Sequence, residues 1–425
     1  MIKYNKEFLD NSLPLILLPM KETRIVTALL MIKTGSKYET CSESGLSHFL
    51  EHMFFKGTKK RPNTLDISSA LDALGGEFNA FTSKEYTGYY VKVLAGKLES
   101  ALEILADMLS ASKFEAEEIE REKGVIIEEL NMYEDNPLMH IEDVLESCLY
   151  GNTPAGWDTI GTKETIKSFK RDDFIKYYQR QYGAKSMTLI LSGAVSSADI
   201  KLANKYFSVF QPNKWKDKLR VIEAQKKPAI KIIFKKIDQV NLSLALRTFP
   251  VGHPQEMALK LLAVILGGSM SSRLFISLRE RSGLAYYVRT GVESHSDTGY
   301  LSTQAGVPKN KVKSAVQIIV NEYQKIKDEG ISQAELDKAK DILSGRLLMQ
   351  LETSDELASW YGRQVILRQE LLNPADLEKI LRAVSLEDVQ RVAKKIMKEN
   401  NLNLALIGPI DKVAEKDIFN ILKLT

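Results

Sequence analysis

The sequence predicts an α+β protein made of two homologous domains, each a mainly antiparallel sheet with helices packed on one face. One observation is an internal repeat, because similar motifs recur at offsets of 211 to 215 positions. The recurring pairs are Asp173 with Asp388, Gly193 with Gly408, and Thr87-Gly88-Tyr89 with Thr298-Gly299-Tyr300. A steady offset over several features indicates a duplicated unit of about 210 residues. A second observation is that strand and helix patterns lack the strict alternation of a doubly wound sheet.

Hydrophobic patterning predicts the elements of the first half. Residues 24–34 are mostly apolar and are closed by Gly35, as in a buried strand. The segment 77–94 contains two strand-like runs around a turn near Ser83, which predicts a hairpin. Further predicted elements are helices at 64–74, 97–111, 115–134, 138–149 and 171–181, and a strand at 186–193.

The repeat also predicts the domain boundaries. We place the first domain at 1–211 and the second at 229–425, with a connector at 212–228 between them. Pro212, Trp215, Pro228 and several lysines lie in or beside this connector, a composition typical of a linker.

Composition describes an ordinary globular protein. The 59 basic and 55 acidic residues give a net charge of +4, which is too small to favour a nucleic-acid partner. No apolar run is long enough to predict a membrane span, and Cys41 and Cys148 do not form a disulfide framework. The first residues lack the apolar core of a signal peptide. We therefore expect a cytoplasmic protein that binds neither nucleic acid nor membrane.

Residues 44–57 contain the pattern His-x-x-Glu-His at His48, Glu51 and His52. On a helix, positions four apart share one face, so both imidazoles can reach one point, as two ligands of zinc must. Glu51 lies beside that point and can accept a proton from water there. This is the zincin motif in reverse order. The chain has only five histidines, and the alternative interpretation is a pair of solvated or hydrogen-bonded core histidines.

A third zinc ligand is expected from the acidic helix at 115–134. Its apolar stripe consists of Ile119, Ile126, Leu130 and Tyr133. Glu122 and Glu129 fall within this stripe, where a carboxylate is costly unless it is paired or coordinated. We expect Glu129 to be the ligand and Glu122 to orient a ligand. Alternatively, one or both only border the stripe and reach water, and Glu128 on the opposite face is the second choice of ligand.

The chain resembles the pitrilysin, insulysin and mitochondrial processing peptidase family of zinc metallopeptidases over nearly its whole length. The motifs that carry the resemblance are residues 44–53 (SGLSHFLEHM), Gly75-Gly76, Asn79-Ala80, Thr87, Glu120-Arg121-Glu122, residues 125–129 (VIIEE), Ile160-Gly161-Thr162, residues 272–275 (SRLF), Leu278-Arg279-Glu280 and residues 283–286 (GLAY). In this family the carboxylate ligand follows the second histidine by 77 positions, which is Glu129 here. The second half lacks the zinc motif.

The resemblance implies two similar α+β domains in a half-length chain, and two such chains that close like a clamshell around a peptide. It implies that Arg279 and Tyr286 hold substrate and steady the tetrahedral intermediate, acting within their own chain or on a partner's zinc site. Residues 79–81 (Asn79, Ala80 and Phe81) match an edge strand that pairs with substrate backbone. A homodimer is the simplest assembly, and a heterodimer with a related chain is the alternative.

The resulting hypothesis is a zinc-dependent metalloendopeptidase that hydrolyses peptides or unfolded segments. His48, His52 and Glu129 would bind Zn²⁺, and Glu51 would act as general base and then general acid. Met139 stands where the processing peptidases carry an acidic residue that selects arginine, so a preference for presequences is not expected to carry over. The alternative from another class is a non-catalytic scaffold, like the core subunits of the respiratory bc1 complex that share this fold.

Overall fold

The computed structural model describes residues 4–368 and 370–424. Within them, eleven strands form two sheets. The strands are β1 (Asn5–Phe8), β2 (Pro14–Pro19), β3 (Ile25–Ile32), β4 (Glu77–Thr82), β5 (Thr87–Leu94), β6 (Met187–Gly193), β7 (Ala229–Phe234), β8 (Gln239–Thr248), β9 (Val288–Ser294), β10 (Gly299–Pro308) and β11 (Leu402–Gly408).

Fifteen α-helices lie in the same described residues. They are α1 (Leu46–Met53), α2 (Thr64–Asp72), α3 (Leu98–Ser110), α4 (Ala116–Asp135), α5 (Pro137–Tyr150), α6 (Lys163–Ser168), α7 (Arg171–Gln181), α8 (Asp199–Phe207), α9 (Glu256–Gly267), α10 (Val312–Glu329), α11 (Gln333–Gln350), α12 (Ser354–Leu367), α13 (Pro374–Ala383), α14 (Leu386–Ile396) and α15 (Lys412–Phe419). A π-helix at Phe275–Arg281 precedes β9. No helix in the described ranges combines the length and the apolar composition that crossing a bilayer requires.

The first sheet has the strand order β1-β2-β6-β3-β5-β4. Its neighbours are antiparallel except β2 and β6, which run parallel. The central strand β3 is apolar and buried along almost its whole length, as expected for a strand covered on both faces. At one edge lies β4, which pairs with β5.

The second sheet repeats this arrangement. Its order is β7-β11-β8-β10-β9, with β7 and β11 parallel and the other neighbours antiparallel. This is the order of the last five strands of the first sheet, element for element, and Gly193 and Gly408 end equivalent strands. The predicted fold class of two homologous, mainly antiparallel sheet-and-helix domains is confirmed.

Within the described residues, each sheet has most of its helices on one face and a single helix on the opposite face. In the first sheet, Leu30 pairs with Tyr89, whose ring contacts Phe54 just after α1 at a centroid distance of 5.4 Å. Alternate residues of β3 face the other way. The Thr27 hydroxyl lies 2.8 Å from that of Ser354, the first residue of α12.

In the second sheet, α5 has the equivalent position. Ile141 and Leu145 of this helix form a hydrophobic cluster with Ala245 of β8 and Ile407 of β11. The residues of β8 that flank Ala245, Leu244 and Leu246, instead pack with α9, α10 and α14. Both sheets are therefore covered on two faces.

This arrangement exchanges two helices between the halves of the sequence. One compact unit comprises Met1–Asn131, Trp157–Leu219 and Leu348–Ala375, and the other comprises Met132–Gly156, Arg220–Leu347 and Asp376–Thr425. The ranges predicted from the sequence, 1–211 and 229–425, are continuous and therefore assign α5 and α12 differently. The apolar side of each helix is buried on the sheet that the other half of the chain forms.

Candidate metal centre

Helix α1 presents His48, Glu51 and His52 from a well-anchored segment. Phe49 and Leu50 are fully buried, and the Phe49 ring contacts Phe174 edge-on at a centroid distance of 4.8 Å. The spacing of four residues brings the two imidazole centroids to 4.7 Å from each other. The apolar residues of this short helix thus fix the direction of its polar ones.

The start of α1 is held by backbone contacts and by a buried carboxyl group. Gly45 and Gly161 both have positive φ, 93° and 90°, and a Cβ on either would overlap the backbone near the other. The backbone N–H groups of Gly45 and Ser47 donate to the two carboxylate oxygens of Glu39, at 2.8 and 2.6 Å. Burial raises the pKa of Glu39 to about 8, although these hydrogen bonds favour its ionised form.

Helix α4 brings Glu129 to the two histidines. Its Oε1 lies 3.5 Å from Nε2 of His48, and its Oε2 lies 3.5 Å from Nε2 of His52. One ligand atom from each of the three residues can be chosen so that all lie within 4.8 Å of one another. Ligand atoms about 2.1 Å from a tetrahedral zinc are about 3.4 Å apart, so both nitrogen–oxygen separations fit that ion. The set of two imidazoles and one carboxylate also leaves a coordination position open.

Glu122 contacts His52 but does not belong to the cluster of His48, His52 and Glu129. Its Oε1 accepts a hydrogen bond from Nδ1 of His52 at 2.9 Å, and its Oε2 lies 2.6 Å from Nζ of Lys56. The first contact leaves Nε2 of His52 as the nitrogen free to bind a metal. Burial opposes ionisation of Glu122, but hydrogen bonds from His52 and Lys56 hold its pKa below the ordinary value. By contrast, Nδ1 of His48 is buried without a hydrogen-bond partner among the described residues.

Glu51 lies beside the ligand cluster and is held from the edge strand. The Thr82 hydroxyl at the end of β4 donates to Oε2 of Glu51 at 2.5 Å. Burial raises the pKa of Glu51 above its ordinary value, against the opposing effect of this hydrogen bond and of the histidines. One carboxylate oxygen is thus held by Thr82, and the other can face a reacting water.

Asn79, Ala80 and Phe81 lie on β4 at the edge of the first sheet. The three residues pair with Tyr90, Tyr89 and Gly88 of β5. The backbone N–H of Ala80 donates to the side-chain Oδ1 of Asn79 at 2.8 Å. The Asn79 amide therefore occupies a backbone donor on the strand for which peptide pairing is predicted.

Arg279 and Tyr286 belong to the second compact unit. Arg279 lies in the π-helix Phe275–Arg281, a rare conformation that is frequent at functional sites. Its guanidinium stands over the rings of Phe275 and Tyr286 at 4.9 and 5.4 Å. Tyr286 is 80% exposed, so Arg279 and Tyr286 form a cation–π contact at the surface of their unit.

Two family models match consecutive parts of the chain. The model described as insulinase (peptidase family M16) matches residues 15–163, and the model described as peptidase M16 inactive domain matches residues 168–343. The chain belongs to peptidase family M16. The first match contains the His48, His52 and Glu129 cluster, and the second contains Arg279 and Tyr286.

Relatives in the M16 family align over nearly their whole length. The protein named "uncharacterized zinc protease YmxG" from Bacillus subtilis is 36% identical over 94% of this chain and 97% of its own. An "uncharacterized zinc protease" from Rickettsia felis is 32% identical over 96% and 98%. A solved protease structure from Helicobacter pylori has a TM-score of 0.91 at 24% identity and covers 96% of this chain and 100% of its own, which supports the M16 fold.

The sequence did not single out three groups that surround the cluster of this M16 chain. They are Glu39, Lys56 and Thr82. Lys56 could have been found, because it follows His52 by the same four positions that separate the histidines. Glu39 lies six and eight positions before the N–H groups that it accepts from, outside any regular helical spacing. Thr82 contacts α1 only through the tertiary fold.

Proposed function

We propose that this protein is a zinc-dependent metalloendopeptidase that hydrolyses peptides or unfolded polypeptide segments. The observation that carries the proposal is the 3.5 Å separation of Glu129 oxygens from Nε2 of both His48 and His52. The Glu51 carboxyl group lies on the same helix as the two histidines. Relatives that align over nearly their whole length are named zinc proteases, which agrees with this ligand set.

In the proposed mechanism, His48, His52 and Glu129 would hold Zn²⁺. The bound ion would polarise the scissile carbonyl and make water a better nucleophile. Glu51 accepts the proton that the attacking water loses and passes it to the leaving amine. Thr82 keeps one oxygen of Glu51 in place, and Glu122 keeps the His52 ring in the orientation and tautomer that ligation needs.

The proposed binding of substrate uses β4. An extended peptide would pair with the backbone of Asn79, Ala80 and Phe81 by β-augmentation. The Asn79 amide would then give up the Ala80 N–H to a substrate carbonyl. A peptide on this edge would run past Thr82, whose hydroxyl contacts Glu51, so the strand that binds substrate and the base that cleaves it are adjacent.

The direct test is incubation of the zinc-loaded protein with unstructured peptides, followed by mass spectrometry of the products. We expect internal cleavage that a chelator stops and added zinc restores. Release of single terminal residues would contradict an endopeptidase. Intact peptides at stoichiometric zinc would instead support the non-catalytic scaffold.

The proposal includes a second chain, since Arg279 and Tyr286 are expected to hold substrate and steady the tetrahedral intermediate. We expect a homodimer in which these residues act on the partner's zinc site. Mixing two inactive variants, Glu51→Gln and Tyr286→Phe, should then restore activity, because each mixed dimer contains one site with both groups intact. Purification through two different affinity tags, one on each variant, isolates the mixed dimers, and gel filtration gives the size of the assembly. Mixed dimers without activity would show that both residues act within their own chain, and an active monomer would exclude the dimer.

A further inference from the structure

Glu122 is a buried anion with both oxygens in use. The residue is 5% exposed, with Oε1 bonded to Nδ1 of His52 at 2.9 Å and Oε2 to Nζ of Lys56 at 2.6 Å. The carboxylate is therefore held between a proposed metal ligand on one side and an ammonium group on the other. A buried carboxylate that lost one of these partners would retain an unsatisfied oxygen, which is costly.

The segment that carries Lys56 is anchored to α3, whereas Glu122 lies on α4. Lys56 lies in the segment 54–63 that follows α1, where the Thr58 N–H donates to the Arg61 carbonyl at 2.7 Å. The Arg61 guanidinium in turn contacts Glu103 at 2.5 Å and Asp107 at 2.6 Å, both on α3. This segment is thus tied to α3, and the ammonium of Lys56 reaches Glu122 from an anchored backbone.

The contacts of Glu122 explain why an ammonium group matters beside this cluster. Glu51, Glu122 and Glu129 place three carboxylates around two imidazoles. Glu122 contacts Nδ1 of His52, whereas Glu129 lies near Nε2 on the other side of the same ring. An ammonium 2.6 Å from Oε2 of Glu122 pairs with the oxygen that His52 does not contact, so the other oxygen can stay on Nδ1 of His52.

We propose that Lys56 is a positioning residue for the metal: it holds Glu122 in contact with His52 and so raises zinc affinity without touching the ion. This inference rests on the zinc site of the proposed function. It does not depend on whether peptides are cleaved, because its effect is on binding of the ion. Loss of a partner that orients a metal ligand costs about 10- to 100-fold in metal affinity, and Lys56 acts one contact further out.

The test measures the zinc dissociation constant of the full chain by competition with a chromogenic chelator. We expect K56M to weaken zinc binding by about tenfold, at the lower end of that range, and K56R, which keeps the charge, to restore most of the loss. The matched control is K59M, because Lys59 is an exposed lysine of the same segment, and it should bind zinc as the unchanged protein does.

A double variant separates positioning from general stabilisation. If Lys56 acts only by holding Glu122 on His52, K56M/E122Q should bind zinc as weakly as E122Q alone, and no more weakly. Equal losses from K56M in both backgrounds, or unchanged zinc affinity of K56M, would overturn the inference. Should K56M be recovered unfolded, K56Q gives the same comparison. Failure of the zinc site itself is recognised separately, because the unchanged protein would then bind no zinc.

Discussion

Glu51→Gln should slow peptide cleavage by about 10²- to 10⁴-fold and leave zinc binding intact. The carboxylate is the group placed to take a proton from the attacking water, and general base catalysis contributes about 10²- to 10⁴-fold to the rate. Glutamine keeps the size of the side chain and can still accept the hydrogen bond from Thr82, but it cannot accept the proton. We expect the cleavage rate of an internally quenched, unstructured peptide to decrease by a factor in that range.

Zinc content decides how a loss of activity is interpreted. Glu51→Gln should retain one zinc per chain by metal analysis, because Glu51 is not among the three residues with ligand atoms close enough to share an ion. Glu117→Gln, at an exposed position of α4, is the control and should cleave normally. Cleavage by Glu51→Gln at the unchanged rate would show that another group moves the proton, and loss of its zinc would make Glu51 a ligand.

The repeat in the sequence was sufficient to predict the fold class. Equivalent glycines at 193 and 408 end equivalent strands, and the two sheets have matching strand orders. The exchange of α5 and α12 was not predictable in the same way. An amphipathic helix reveals which of its sides is apolar, but not which of two similar sheets that side covers. The contacts of Ile141 and Leu145 with Ala245 and Ile407 depend on tertiary structure alone.

In the candidate site, contacts within a helix were predictable from the sequence, and contacts between distant segments were not. Helical spacing alone brings His48 and His52 together, and the stripe of α4 separates neighbouring carboxylates: Glu128 is exposed, whereas Glu129 lies beside both imidazoles. Contacts between distant segments could not be read from spacing. Thr82 reaches Glu51 from a strand 31 positions away, so only the folded chain reveals it.

That contrast on α4 supplies the second prediction. Glu129→Gln should weaken zinc binding by more than about 100-fold, the largest loss usual for residues that only orient a ligand. A carboxylate contributes charge and a strong oxygen ligand, whereas the neutral amide contributes a weak oxygen. The dissociation constant is measured by chelator competition, and circular dichroism checks that the variant is folded.

Glu128→Gln is the matched control for Glu129→Gln. It makes the same chemical change one position earlier on the same helix, but its side chain is on the exposed face of α4, and it should bind zinc normally. If Glu128→Gln lost zinc and Glu129→Gln kept it, the ligand would be the residue that the stripe argument placed second. Equal affinity in both variants would mean that neither carboxylate binds the ion. Since a one-residue shift turns a helix by about 100°, only one of these neighbours can face the histidines.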